Sequence, residues 1–379
     1  MTDPRPPKLF IIAGEPSGDA LGAPVIDHLR TSFDNIMIAG IGGDRMTDAG
    51  LESLFPMEEL SVMGLTEVLP RLPLLLRRIR ETAREIERTR PDVIVTIDSP
   101  DFTLRVAKKI RHLGIPVVHY VAPTVWAWRP GRARKLARIV DHVMTLFPFE
   151  PRYFEAEGLK ATFVGHPVVE QSIPPSDTTP PSRKQLVILP GSRRGEIERL
   201  MPVFGETIER LSQQEAGRDL HLVIPTLPHL RDTLAAMTRS WVRQPEIESD
   251  RDRFYETLCQ STVALCASGT VVLELAKAAV PGVIAYRVSP LTAAIARRLI
   301  KLEHVSLVNI IAGREVMPEY LQEQCTAPAL SAAIAELLES PSRRDAQKAA
   351  FGDVMQALGQ GDTPPSERTA QVIGGYLAK

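Results

Sequence analysis

The stretch VALCASGTVVLELAKAAVPGVIAYR, Val263 to Arg287, decides the fold. Its unbroken apolar run Val263–Cys266 reads as a strand buried on both faces, and the small residues Ala267, Ser268, Gly269 and Thr270 read as a turn. A helix then runs to Ala279, and a second strand covers Gly282 to Tyr286. That is a βαβ unit. Ser268 is placed to cap the helix, Gly269 lets a ligand approach the backbone, and the free N–H groups beside them form a ready anion site. Glu274 lies about a turn and a half further on, where the sugar of a nucleoside diphosphate falls if its phosphates sit at the helix start. A carboxylate there accepts both ribose hydroxyls; an ordinary capped helix with a solvated Glu fits the same spacing.

The same rhythm extends outward in both directions. Strand candidates precede it at Leu9–Ala13, Ile36–Ala39, Val93–Ile97, Pro116–Tyr120, His142–Leu146 and Thr162–Val164, and helical patterns separate most of them. The Pro- and Ser/Thr-rich segment Gln171–Lys184 has no apolar periodicity and reads as a linker. Further strands follow near Leu186–Leu189 and His221–Ile224. The expected architecture is therefore α/β, two Rossmann-like parallel-sheet domains facing a central cleft, over residues 1–170 and 185–340. Residues 341–379 read as terminal helices that pack back on the first domain.

Composition narrows the classes. A chain of 379 residues favours two domains. Its 45 Lys and Arg against 46 Asp and Glu give no global field to attract nucleic acid. Cys259, Cys266 and Cys325 stand alone, without metal-ligand or disulfide spacing, which fits a reducing cytoplasm. No run of about eighteen apolar residues suggests a membrane span, and the N-terminal apolar run is too short for a signal peptide.

Several turns carry candidate chemistry. Gly14-Glu15-Pro16-Ser17-Gly18-Asp19 follows the first strand, so Glu15, Ser17, Gly18 and Asp19 lie where open α/β sheets bind ligands; a tight structural turn is the plainer reading. Asp98 ends a buried strand, while Ser99, Pro100 and Asp101 look like N-cap, N1 and N2 of the next helix. Asp101 is thereby explained by the helix dipole, and Asp98 is left as a candidate general base. Gly191, Ser192 and Arg193 open the second domain with a similar strand–turn–helix, and Arg193 suits a departing diphosphate. Arg194 reads as a surface charge. Asp250-Arg251-Asp252 resembles a metal-binding pair but sits in a charged run with no apolar strand immediately before it.

Two regions look adapted to anionic surfaces. Leu72, Leu75, Leu76, Ile79, Ala83 and Ile86 fall on one helical face whose start carries Arg71, Arg77, Arg78 and Arg80, and Val62, Met63, Leu65 and Leu69 precede or open it. Such a helix packs on a core or dips into a bilayer interface. WAWRPGRARKLAR, Trp126–Arg138, holds five basic residues and two tryptophans, which suits phosphorylated lipid.

Taken in order, AGEPSGD (Ala13–Asp19), GIGGDRM (Gly40–Met46), ELSVMGLTEVLP (Glu59–Pro70), IDSPDF (Ile97–Phe102), APTVWAWRPGR (Ala122–Arg132), FVGHP (Phe163–Pro167), LPGSR (Leu189–Arg193), SGTVVLE (Ser268–Glu274) and SLVNIIAGREVMPEYLQ (Ser306–Gln322) resemble the lipid-A-disaccharide synthase family of GT-B type UDP-sugar transferases. The resemblance implies that 2,3-diacylglucosamine passes from its UDP derivative to the 6-hydroxyl of 2,3-diacylglucosamine 1-phosphate, without cofactor or metal. It implies activity at Asp98 and Arg193, nucleotide contacts at Ser268, Gly269, Thr270 and Glu274, and a site motif at Asn309. It also implies peripheral contact with anionic lipid on the inner face of the inner membrane. Ser99, Thr103 and Val308 depart from the residues common in the family. The oligomeric state is left open, a homodimer included. Competing expectations are a GT-B-like UDP-N-acetylglucosamine 2-epimerase, which needs no lipid-adapted domain, and a non-catalytic nucleotide-sugar binder, which leaves Asp98 without a purpose.

Overall fold

The computed structural model describes residues 5–60, 65–126, 131–174, 183–289 and 303–378, with 65–71 as backbone alone. The chain forms two compact units, Met1–Glu170 with Leu358–Lys379, and Gln171–Ala357. Most of the expected linker, 175–182, lies outside the described residues, as do Val62, Met63, Trp128 and Arg129.

The first unit is built on β1 (Lys8–Ala13), β2 (Met37–Ile41), β3 (Glu52–Ser53), β4 (Val93–Ile97), β5 (Val117–Tyr120), β6 (His142–Thr145) and β7 (Lys160–Phe163). They form one parallel sheet in the order β3-β2-β1-β4-β5-β6-β7. Helices cover both faces, so the central strands are apolar at successive positions rather than alternately. Phe10, Ile12 and Ile94 pack against Ile79, Ala83, Ile86, Phe102 and Val106. Leu9, Ile11 and Val95 pack on the other face against Val25, Ile26, Ala370 and Ile373.

The second unit repeats the plan with β8 (Gln185–Leu189), β9 (His221–Pro225), β10 (Glu246–Glu248), β11 (Val263–Ala267), β12 (Gly282–Tyr286) and β13 (Glu319–Leu321), in the parallel order β10-β9-β8-β11-β12-β13. Its larger core joins Leu186, Ile188 and Leu265 to Ile197, Phe204, Leu234, Ile334 and Leu337. The helix Pro341–Ala357 belongs to this unit, and Gln347 Oε1 accepts the Gly282 N–H at 2.8 Å. The next helix, Pro365–Leu377, lies in the first unit. Glu170 Oε1 accepts from Ser366 N (3.2 Å) and Oγ (2.5 Å) at its start, and Tyr376 near its end meets His142 Nδ1 at 3.1 Å.

The helix Leu65–Thr89 buries Ile79, Ala83 and Ile86 but leaves Leu72 and Leu76 each 38% exposed. Its expected basic cluster loses one member. Arg78 gives 2.7 Å hydrogen bonds to both Glu59 oxygens and to Glu81, and lies 4.3 Å from the centre of the Phe55 ring.

His119 and His142 are buried in the sheet of the first unit, each touching a threonine hydroxyl at 2.8 Å. Burial pushes both imidazoles down to about 4. Such groups stabilise the fold above the unfolded pKa of about 6.5 and lose that contribution as pH falls towards the native value. The melting temperature of the first unit is expected to fall between about pH 6.5 and 4, and less so in His119→Gln. Parallel calorimetric pH series with identical slopes would contradict this assignment.

Candidate active site

Parallel register brings the two loops of each switch point together. In the first unit Ala13 of β1 is level with Ile97 of β4, so Gly14 and Asp98 leave the sheet side by side. The approach is close: a Cβ on Gly14 would lie 2.5 Å from Ser99 Oγ. Asp98 and Ser99 both adopt left-handed backbone, with φ 45° and 46°. Two hydrogen bonds hold this turn, from Thr103 Oγ1 to the carbonyls of Asp98 (2.8 Å) and Ser99 (2.9 Å), and Asp98 N–H donates to Tyr120 O at 2.9 Å. Ser99 therefore occupies the N-cap position without acting as the expected cap, because its left-handed backbone makes no side-chain cap bond.

Asp98 and Glu15 are half-buried. Desolvation raises the carboxyl pKa of Asp98, and desolvation together with the Asp98 charge raises that of Glu15. Two carboxyls that resist ionisation on one strand edge suit proton transfer. Ser17 is exposed beside them. Gly18 instead packs inward on Ala13 and Ile97. Asp19 is 6% exposed and its carboxylate accepts the N–H groups of Gly43 (2.8 Å), Arg45 (3.1 Å) and Met46 (3.0 Å). Asp19 thus pins the loop after β2, and its polar atoms are spent inside the protein.

Further along this edge, Val121 follows β5 with φ 72°. Five residues later Trp126 meets Phe149 edge-on, with ring centres 5.3 Å apart. Phe147 stacks on Phe149 at 5.6 Å and on His166 at 5.5 Å. Glu150 is 3% exposed; one of its oxygens accepts Trp126 Nε1–H and the other Phe147 N–H, each at 3.1 Å. Burial pushes its carboxyl up to about 7 against those bonds. His166 Nδ1 accepts the Val168 N–H at 3.1 Å, and burial keeps the ring neutral, down to about 4.

In the second unit Leu189 of β8 is level with Cys266 of β11. The loops Pro190–Arg193 and Ser268–Thr270 consequently leave the sheet together. Gly191 has φ 98°, and a Cβ there would lie 2.6 Å from Glu196 Oε2. Arg193 precedes the helix Arg194–Ser212; its side chain is 84% exposed, 3.6 Å from Glu196 Oε1. Arg194 pairs with Glu198 at 2.7 Å. Ser192, Gly269 and Thr270 are exposed, and the space a Gly269 Cβ would fill is open to 4 Å. The expected Ser268 cap is not formed: the helix runs Val271–Lys277, with Thr270 at the N-cap and no side-chain cap bond. The turn extends two residues further than the sequence suggests.

Glu274 is half-buried, and its carboxyl is raised by desolvation while Arg251 opposes the shift. Tyr255 is raised by its own burial and by the Glu274 charge. Arg251 and Tyr255 are site neighbours that the sequence hides in a charged run; only the fold brings them to Glu274. Asn309, by contrast, is fully buried and fully bonded. Its Nδ2 donates to Met317 O and Glu319 Oε1, both at 2.8 Å, and its Oδ1 accepts Val316 N–H (2.8 Å) and Met317 N–H (3.0 Å). Glu319 also accepts the N–H groups of Val305 and Ser306, each at 2.9 Å. Among the described residues no three His, Cys, Asp or Glu gather as metal ligands.

Two Rossmann-like units, each with an exposed small-residue turn at its switch point, define an α/β protein of the GT-B type. Residues 9–373 match the family model described as lipid-A-disaccharide synthetase. The chain is 47% identical to the lipid-A-disaccharide synthase of Rhodospirillum centenum, covering 99% of this chain and 96% of that one. It is 44% identical to that of Ruegeria pomeroyi, covering 97% and 94%. A UDP co-structure of S. aureus MnaA shares the fold at TM-score 0.65 and 16% identity, covering 98% and 97%. The chain belongs to the lipid-A-disaccharide synthetase family.

Asp19→Asn replaces an acceptor-only carboxylate by an amide, so one of the two oxygens that accept the N–H groups of Gly43, Arg45 and Met46 is exchanged for a donor. It is expected to destabilise the first unit by about 1–3 kcal/mol, read from urea unfolding. An unchanged midpoint would show that Asp19 does not hold the loop.

Proposed function

We propose that the chain is an inverting glycosyltransferase of lipid A disaccharide formation, carrying 2,3-diacylglucosamine from UDP to the 6-hydroxyl of 2,3-diacylglucosamine 1-phosphate. The observation that carries this reading is the family match over residues 9–373. The products are the β-1,6-linked disaccharide phosphate and UDP.

Each role follows from local chemistry. Asp98 takes the proton of the acceptor hydroxyl. Its desolvated carboxyl, shifted towards neutrality, is a stronger base than a solvated aspartate, and its charge together with burial raises the carboxyl of Glu15. Attack of that oxygen on the anomeric carbon breaks the bond to UDP in one displacement. Arg193, exposed and 3.6 Å from Glu196, neutralises the departing diphosphate together with the backbone of Gly191, Ser192, Ser268, Gly269 and Thr270. Glu274 binds the ribose hydroxyls. Ser17 contacts the acceptor, while Gly18, Asp19 and Asn309 shape the loops from within.

The lipid portion has a natural approach. Leu72 and Leu76 are exposed beside Arg77 and Arg80, an arrangement suited to the interface of an anionic bilayer. No helix among the described residues is long and apolar enough to cross a membrane. Contact of this kind is peripheral.

The test uses purified protein, UDP-diacylglucosamine and the monosaccharide phosphate in detergent, with UDP and disaccharide followed by mass spectrometry. Disaccharide with the β-anomeric linkage is expected. Conversion of a soluble UDP-sugar without acceptor would overturn the assignment. Asp98→Asn is expected to lower turnover by about 10²- to 10⁴-fold while UDP affinity, measured calorimetrically, stays within about twofold. Loss of UDP affinity with turnover preserved would refute the role of Asp98.

A further inference from the structure

We infer that Glu150 is a positioning residue, a buried latch that holds Trp126 and with it the loop following β5 against the edge that carries Asp98. The inference rests on the transferase reading above and extends it to a residue outside the site motifs.

Three observations support it. First, the loop at issue starts beside the proposed base: Asp98 N–H donates to Tyr120 O, and Tyr120 is the last residue of β5. Second, the backbone there is strained at three residues on two neighbouring strands. Asp98, Ser99 and Val121 all have positive φ, and a β-branched residue such as Val121 adopts that region only where its surroundings impose it. Third, the far end of the loop is tied by a bond whose chemistry leaves little choice. Both Glu150 oxygens face N–H donors, Trp126 Nε1 and Phe147 N, each at 3.1 Å. Only a group that accepts on both sides satisfies both. A buried carboxylate costs more to keep than an apolar side chain, so its presence against the indole N–H points to a requirement for orientation rather than for packing.

Pinned in this way, the indole meets Phe149 edge-on and lies 6.5 Å from Phe147, and the segment Val121–Trp126 cannot swing away from the strand ends. The loop then forms a fixed wall for the acceptor beside Asp98. Among the described residues no ion pair reaches Glu150, and the ionisable ring in the cluster is the neutral His166. Trp126 is therefore held by the hydrogen bond and the rings.

The test is a double-mutant cycle on the full chain with the substrates above. Glu150→Gln keeps the volume but turns an amide N–H₂ towards one of the two donors. Trp126→Phe keeps a ring and removes the donor. Each single variant is expected to raise acceptor KM about tenfold, equivalent to about 1.4 kcal/mol, with donor KM unchanged and kcat lowered less than threefold. If the two act through one bond, the double variant matches the worse single rather than their product. A multiplicative double variant, equal rises in both KM values, or an unchanged acceptor KM would overturn the latch. A Glu150→Gln chain that fails to fold leaves Trp126→Phe to decide, since it breaks the same bond from the other side and leaves the Glu150 side chain itself unaltered. Absence of transfer by the unaltered protein would instead sink the reading on which the latch rests, and is told apart by that control.

Discussion

Parallel strands covered by helices on both faces have no wet side. Their backbone groups are consumed in the ladders and their side chains in two apolar layers, so polar chemistry is confined to the strand ends. Where the strand order reverses, the connections after two adjacent strands run to opposite faces of the sheet, and their first residues line a recess. In this chain that constraint acts twice, between β1 and β4 and between β8 and β11. It brings Gly14 beside Ser99 in one unit, and Gly191 to Arg193 beside Ser268 to Thr270 in the other. The candidate residues depend on this register; a slip of one residue would turn Asp98 into the sheet.

The two recesses are electrostatically different. The first gathers carboxyls that burial makes reluctant to ionise, Asp98 and Glu15, with Glu150 in the same condition further along the edge. The second offers exposed backbone and an extended guanidinium at Arg193, with one desolvated carboxyl at Glu274. The proposed transferase reading assigns acceptance of a proton to the first and receipt of negative charge to the second.

Much of this is legible in the sequence, and the failures have physical causes. Long apolar runs such as Val93–Ile97 and Val263–Cys266 announce buried strands, and the small-residue turns after them mark the recesses. β3, β10 and β13 were not legible because strands of two or three residues, charged and at or near sheet edges, carry no period. Ser99 and Ser268 read as caps because residue type suggests capping, but backbone angles decide it, and those depend on neighbours distant in sequence. Asp19 and Asn309 look like ligand contacts for a related reason: a polar residue in a glycine-rich motif serves equally to tie two loops together, and only the list of its bonded partners tells which. Glu150, Arg251 and Tyr255 gave no signal, since their surroundings are assembled from strands and turns that the chain order separates.

The return of the chain to the first unit through Pro365–Leu377 has a temporal meaning. Ala370 and Ile373 fill the same layer as Leu9 and Val25, yet they emerge from the ribosome only after the whole of Gln171–Ala357. At about 5–20 residues per second, the N-terminal sheet waits roughly ten to forty seconds with one face incompletely covered. During that interval the second unit is free to fold first, and the nascent first unit presents the apolar surface on which chaperones act.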